Sequence, residues 1–181
     1  MRQRLGTVFV LFMILAAPLA RAQDSRDETR EKLRSLLQTA GKRDDVNVSF
    51  RQSVKEPYNF IGTMDEKLKN ADSLEIVIRV SESDTVGVRV YPHYKDKYIN
   101  LDKVKDVNSL MRRLLHFNDE NFFFWGADDT NDLFAGYTFT LESGFPEEAM
   151  TVVLRSIRST DRFVGDLRPY IDGSASASPT R

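Results

Sequence analysis

Site chemistry commonly begins from a histidine, a thiol or a pair of carboxylates, and this chain is poor in the first two. It carries two histidines, His93 and His116, and no cysteine. A Ser-His-Asp device needs a histidine oriented by an acid beside a nucleophile. His93 falls in Tyr91-Pro92-His93-Tyr94, which reads as a loop after a strand, and His116 ends an apolar-striped segment where an imidazole suits the negative end of a helix dipole. Neither flank shows the Gly-x-Ser-x-Gly elbow, and no His-Glu-x-x-His spacing occurs. Without thiolates, Cys-built zinc sites and a cysteine nucleophile are excluded. The oxygen-rich run Asp128-Asp129-Thr130-Asn131-Asp132 could ligate calcium. Counted from Asp128, however, Leu133 and Phe139 stand where a calcium loop requires Gly and Glu, and the same residues are ordinary turn formers. An enzyme would have to use carboxylates, such as Glu120 with Asp128 or Asp129 in the manner of a glycoside hydrolase. No cofactor motif or Gly-rich phosphate loop is present.

Residues suited to binding are more conspicuous. In Phe122-Phe123-Phe124-Trp125, strand alternation puts Phe122 and Phe124 on one face, Phe123 and Trp125 on the other. One pair lines a core; the second is covered by another helix, a partner or a twin subunit, because large bare apolar patches are uncommon on monomers. A run apolar on both faces usually marks a central, buried strand. The alternative is a docking surface, with Phe123 and Trp125 as its contact residues. Arg155, Arg158 and Arg162 lie at i, i+3 and i+7 of a helical segment and form a basic stripe fit for an acidic partner or phosphate, or simply a solvated helix face. Pro92 to Tyr98 adds an aromatic, charged loop of the kind that serves recognition surfaces.

The elements that must carry these residues follow from periodicity. Ser25-Arg26-Asp27-Glu28 fits a capping box, and Leu33, Leu36, Leu37 and Ala40 follow at helical spacing, so residues 25–40 form a first helix. Val46, Val48 and Phe50 alternate as a strand, and 58–63 is a second. Leu74, Ile76, Ile78 and Val80, then Val86, Val88 and Val90, alternate on either side of a short polar link and predict an antiparallel hairpin. Tyr98, Ile99 and Leu101 suggest an edge strand. Residues 103–117 carry an amphipathic stripe. The 122–125 run and the alternation Leu133, Ala135, Tyr137, Phe139, Leu141, the latter taken as the longest strand, make a second hairpin. Pro146-Glu147-Glu148 starts a last helix whose stripe runs through Leu167. The order α-β-β-β-β-α-β-β-α predicts an α+β fold, an antiparallel sheet with helices packed on it.

Composition agrees with one such domain. The 181 residues are 41% hydrophobic, with twelve Phe, six Tyr and one Trp to fill a core. Arg2 and Arg4, the apolar run Leu5 to Ala17, and Ala20-Arg21-Ala22 form the three parts of a cleavable secretory signal over residues 1–22. The domain is then 23–171, and the Ser- and Ala-rich tail 172–181 has nothing to bury and reads as disordered. Loss of Arg2, Arg4 and Arg21 takes the net charge from −1 to −4. A mildly acidic mature chain argues against nucleic acid as a partner and against an anionic membrane surface. No later apolar stretch reaches membrane-spanning length.

Leu110-Met111-Arg112-Arg113-Leu114-Leu115, Asn118 to Trp125, Phe134-Ala135-Gly136-Tyr137-Thr138-Phe139-Thr140-Leu141 and Glu142-Ser143-Gly144-Phe145-Pro146-Glu147-Glu148, with the final helix, resemble the YbjN-like family. The resemblance covers roughly residues 25–171, best from 74 onward. It implies the type III secretion chaperone-like fold. It also implies a role of the sensory transduction regulator-like or chaperone-like type, loosely associated with regulation and protein binding and without agreed catalytic residues. An export signal departs from a cytoplasmic chaperone. The expectation is therefore a periplasmic or secreted, non-enzymatic module that holds a protein or peptide partner, with a homodimer as one form. The alternatives are a hydrolase using paired carboxylates and a structural envelope-stress accessory protein.

Overall fold

Alternation of β-branched and polar residues is strongest in the hairpin at the middle of the chain, and the sheet grows outward from it. A computed structural model describes residues 26–174; the signal expected at 1–22 and the part of the expected tail from 175 onward lie outside the described residues. The strands are β1 (Arg51–Gln52), β2 (Asn59–Met64), β3 (Ser73–Val80), β4 (Thr85–Tyr94), β5 (Lys97–Tyr98), β6 (Phe124–Ala127) and β7 (Leu133–Thr140). They form one antiparallel sheet in the order β1-β2-β3-β4-β7-β6, with β5 pairing the end of β4. The helices are α1 (26–40 as described), α2 (Val107–Glu120), α3 (Glu147–Ser156) and α4 (Thr160–Asp172), with 3₁₀ turns at Leu101–Lys103 and Ile157–Ser159.

The expected α+β architecture is the one observed. The core lies between one face of the sheet and the helices. Ile76, Ile78, Val86, Val88, Val90 and Ala135 point from the strands into a cluster with Leu33, Leu37, Leu110, Phe117, Leu154, Val164 and Leu167 from the helices. Each of the larger side chains buried there contributes roughly 1.5–3 kcal/mol of transfer free energy. Local signals set the helix ends: the Asp106 side chain accepts from Ser109 N–H at the start of α2, and Gly173, at φ 73°, closes α4 in the left-handed conformation that glycine adopts without strain.

The structure departs from the sequence expectations at several places. The edge strand expected at Tyr98, Ile99 and Leu101 is the short β5, and Leu101 opens a 3₁₀ turn. Val46 and Val48 are buried, but their segment pairs with no strand, and only Arg51–Gln52 joins β2; the alternation came from packing beside Gly62, not from a ladder. The longest strand is β4, with ten residues, not β7. The last helix breaks into α3 and α4 at the 3₁₀ turn. α4 also continues through Asp172, which accepts hydrogen bonds from Tyr94 Oη at 2.8 Å and Lys95 Nζ at 2.7 Å, so the first residues assigned to the tail are held to the sheet.

Candidate functional site

The alternation that fills the core must place every second residue on the other face of the sheet, and among the described residues no helix covers that face. Register fixes what stands there. Asn59, Arg79 and Gly87 form one row; Ile61, Val77 and Arg89 form the next; Thr63, Glu75 and Tyr91 form the third. From β7 and β6 come Phe134, Gly136, Thr138 and Phe124.

Two adjoining hollows lie on this face, beside a third lined by Arg51, Ile61, Thr63 and Glu75. One, of about 350 Å³, sits over Gly87 between Arg79, Arg89, Phe124 and Thr138. The second, of about 260 Å³, is lined by Glu75, Tyr98, Asp128 and Asp132. Val77 and Tyr91 line both, so the two are continuous. The floor is open because Gly87 has no side chain: a Cβ there would meet no atom within 4 Å. The wall is aromatic. The Phe124 ring rests on Gly136, where a Cβ would come within 2.6 Å of it, and stands edge-on to Phe134 at 5.8 Å between centroids. Tyr91 packs on Phe134 at 5.6 Å, and the Arg89 guanidinium lies 4.4 Å above the Phe134 ring while donating to Tyr91 Oη at 3.3 Å. This is a second, smaller aromatic cluster, separate from the main core.

Charge varies along the trough. Arg79 stands at one end and Arg89 reaches from the middle row to Tyr91 and Phe134; among the described residues neither makes an ion pair. Glu75, Asp128 and Asp132 occupy the other, where their partners are hydroxyls and amides: Tyr98 Oη donates to Glu75 at 3.0 Å, Thr130 Oγ1 to Asp128 at 2.8 Å, and Asn100 Nδ2 to Asp132 at 2.8 Å. Partial burial, and then the Glu75 carboxylate, push the Tyr98 phenol up to about 12. Burial also raises Tyr91. Asp128 feels an upward push from burial, but the Thr130 hydroxyl and the N–H groups of Asp132 and Thr130 outweigh it and hold the carboxyl below its usual range. The phenols thus stay neutral donors and Asp128 stays charged at neutral pH.

Edge pairing is restricted. On β6 the Asn118 side chain accepts from Trp125 N–H at 2.5 Å and donates to Trp125 C=O at 3.3 Å, so it occupies both outward groups of that residue. The opposite edge ends in β1, only two residues long. Short or covered edges are poor templates for an added strand.

The residues singled out from sequence are placed as follows. The aromatic run is not a central strand: β6 starts at Phe124 and forms the sheet edge. Phe123 and Trp125, the pair offered as partner contacts, are 2% and 5% exposed, and Trp125 packs on Phe117 and Phe163. The accessible rings are the other pair, Phe122 at 53% and Phe124 at 44%. Arg155, Arg158 and Arg162 do not make one stripe, because the helix break distributes them over α3, the 3₁₀ turn and α4. Arg155 pairs with Asp45 at 2.6 Å, Arg158 donates to the carbonyls of Glu66 and Val46, and Arg162 donates to Asn121 Oδ1 at 3.3 Å. Each thus has a local partner.

Glu120 lies at the end of α2 near Arg113, whereas Asp128 and Asp129 follow the far end of β6. The strand between them spans about 13 Å, longer than the carboxyl separations glycoside hydrolysis uses. His93 belongs to β4, edge-on to Tyr98 at 4.3 Å, not to a loop; His116 is exposed on α2. Among the described residues no cluster of His, Asp and Glu is arranged to hold a metal ion, and no helix is long and apolar enough to cross a membrane.

Sequence reasoning missed one buried charge. Asp161, in the first turn of α4, accepts from the backbone N–H groups of Lys69, Asn70 and Ala71 at 2.8–2.9 Å and from Asn70 Nδ2 at 3.2 Å. Burial pushes its carboxyl up, but those three amides more than offset the push and leave it below the usual range. It fastens the segment before β3 to the last helix. No family model matches the chain, and no curated protein matches it.

Proposed function

We propose that this domain is an exported, non-enzymatic binding module that holds an extended peptide segment of a protein partner against the bare face of its sheet. One observation carries the reading: a sheet with helices on a single face presents, on the other, a continuous trough floored by Gly87 and Val77 and walled by Phe124 and Tyr91. Concave apolar surface with a few convergent polar groups is the usual form of a ligand site. The capped edge at Trp125 favours docking across the face over strand addition. The resemblance to YbjN-like proteins is in keeping with a holding role, and export rests on the leader at residues 1–22. A second copy of the chain could use the same face, and light scattering on the full chain over a concentration series separates that form from a monomer.

The test is to select peptides on the immobilised protein and to locate them by amide chemical shifts. The reading expects shifts concentrated at Val77, Gly87, Arg89 and Gly136. Peptides that all map to α2, α3 or α4, or a failure to select any, would overturn it.

A further inference from the structure

We infer that the segment held in the trough presents an aromatic side chain, and that its ring rests on Gly87 as the Phe124 ring rests on Gly136. This depends on the reading of the bare face as the binding site and adds to it the side chain that the occupant must carry.

The glycines within strands differ in what covers them. A Cβ on Gly62 of β2 would meet the Phe50 ring at 2.8 Å, one on Gly126 of β6 the Phe134 ring at 3.3 Å, and one on Gly136 of β7 the Phe124 ring at 2.6 Å. On the bare face the device is direct, because Phe134 stands opposite Gly126 and Phe124 opposite Gly136 in the β6–β7 ladder. A ring laid on a glycine across a strand pair restores the packing surface that the glycine lacks. Gly87 of β4 is the exception, with nothing within 4 Å of the same position. Its neighbours across the two ladders are Arg79 and Thr138, and neither brings a ring. The backbone does not call for glycine there: Gly87 has no positive φ, and the pairing with β3 and β7 passes through it without a bulge. Glycine weakens a strand interior, and with a turn and a bulge both excluded, close approach of another molecule remains as its reason.

The space above Gly87 suits a ring. The hollow is about 350 Å³, where about 150 Å³ is enough to take up benzene. Val77, Tyr91 and Phe124 line it, and aromatic rings gain from edge-on contact with one another beyond the area they bury. Arg89 already lies 4.4 Å above the Phe134 ring. Arg79, directly opposite Gly87, makes no ion pair among the described residues and is the matching cation for a ring seated there. An aliphatic side chain would fill part of the space and forgo both contacts.

The experiment adds short, uncharged, β-prone peptides with blocked termini to the full chain. They differ at one central position, which is Phe, Ala, or cyclohexylalanine with the bulk of Phe but no π-system. Affinity is read by fluorescence anisotropy, and location by nuclear Overhauser contacts from the peptide side chain to the Gly87 α-protons. The Phe set is expected to bind about tenfold or more tighter than the Ala set and about threefold tighter than the cyclohexylalanine set, with its ring at Gly87. Thr138→Phe supplies a ring to Gly87 from within the sheet, so the Phe set should then bind no better than the Ala set. Gly87→Val should have the same effect, and it keeps the test open if Thr138→Phe does not fold. Equal binding by all sets, with amide shifts on the bare face, overturns the aromatic inference while leaving the binding face intact. So does a cyclohexylalanine set that matches Phe, which reduces the requirement to bulk. A Phe preference that persists in folded Gly87→Val protein overturns the inference on its own. Contacts confined to α2, α3 or α4, or no binding at all, overturn both readings. A free chain that light scattering shows to be a dimer, and that Phe122→Ser disperses, would assign the ring to a second copy and overturn the peptide as occupant.

Discussion

The helix-covered face of the sheet and its bare face are made by the same strands in alternate residues, yet they follow different rules. On the covered face of β3, Leu74, Ile76, Ile78 and Val80 are essentially inaccessible, and every neighbour is fitted to their volume. One residue along, Glu75, Val77 and Arg79 meet open space, a glycine and charges without counter-charges. Stability resides in the first set and capacity for recognition in the second. Changes confined to the bare face should therefore alter binding without altering folding.

The largest expected effect is on the covered side. Ile76→Ala should cost about 3 kcal/mol in urea unfolding, through lost burial plus a residual cavity. The adjacent Val77→Ala should cost under about 1 kcal/mol, because Val77 is only partly buried. Equal losses at the two positions would break the distinction between the faces.

Next comes Asp161→Asn, expected to cost about 2 kcal/mol by weakening the acceptor of three backbone amides. Its pH dependence has a definite sign. A carboxyl whose folded pKa is depressed adds stability that is fully present above the ordinary value of about 4 and is lost as pH falls through the depressed one. The gap between wild type and Asp161→Asn in urea midpoint should therefore narrow on acidification below about pH 4; a constant gap would remove the charge from the explanation.

Asn118→Ala should cost about 1 kcal/mol and leave Trp125 N–H and C=O open at the β6 edge. Light scattering should then show association that rises with concentration, since an uncovered edge can pair. If the variant stays as monodisperse as its parent, the Asn118 clamp is not what limits edge pairing.

The smallest effect on stability carries the sharpest functional contrast. Gly87→Val places a β-branched side chain where the backbone has room for it, so the unfolding midpoint should hold or rise slightly, by up to about 1 kcal/mol. The same side chain fills the trough, and peptide affinity should fall about tenfold or more in anisotropy titrations. A stable Gly87→Val protein that binds as before would move the binding site elsewhere.

Strand periodicity made the hairpin of β3 and β4 legible in the sequence, because period-two alternation is local and the polar link is short. The helical stripes at Leu33 to Ala40 and Leu110 to Phe117 were legible for the same reason. Where the pattern misled, a tertiary contact was responsible. Val48 and Phe50 alternate in register because they pack over Gly62, and Phe122 and Phe123 precede a strand instead of opening one. The stripe Arg155, Arg158, Arg162 assumed one unbroken helix, which the turn at Ile157–Ser159 interrupts. The trough was invisible because it depends on which face the helices leave bare. Alternation tells that two faces exist; it does not say which neighbours from β2, β7 and β6 meet on them. Asp161 gave no local sign either, since its amide partners lie some ninety residues earlier.

That distance has a consequence for the order of events in time. A chain that emerges from its N-terminus exposes Lys69, Asn70 and Ala71 long before the carboxylate that will receive their amides. Until residue 161 arrives, those amides are left to water, and the layer over Val90 and Phe117 lacks its closing helix. The domain should accordingly lock late and in one step, when α4 docks. Nascent chains that stop before α4 should then be cut readily by protease, whereas those that include it through Gly173 should resist.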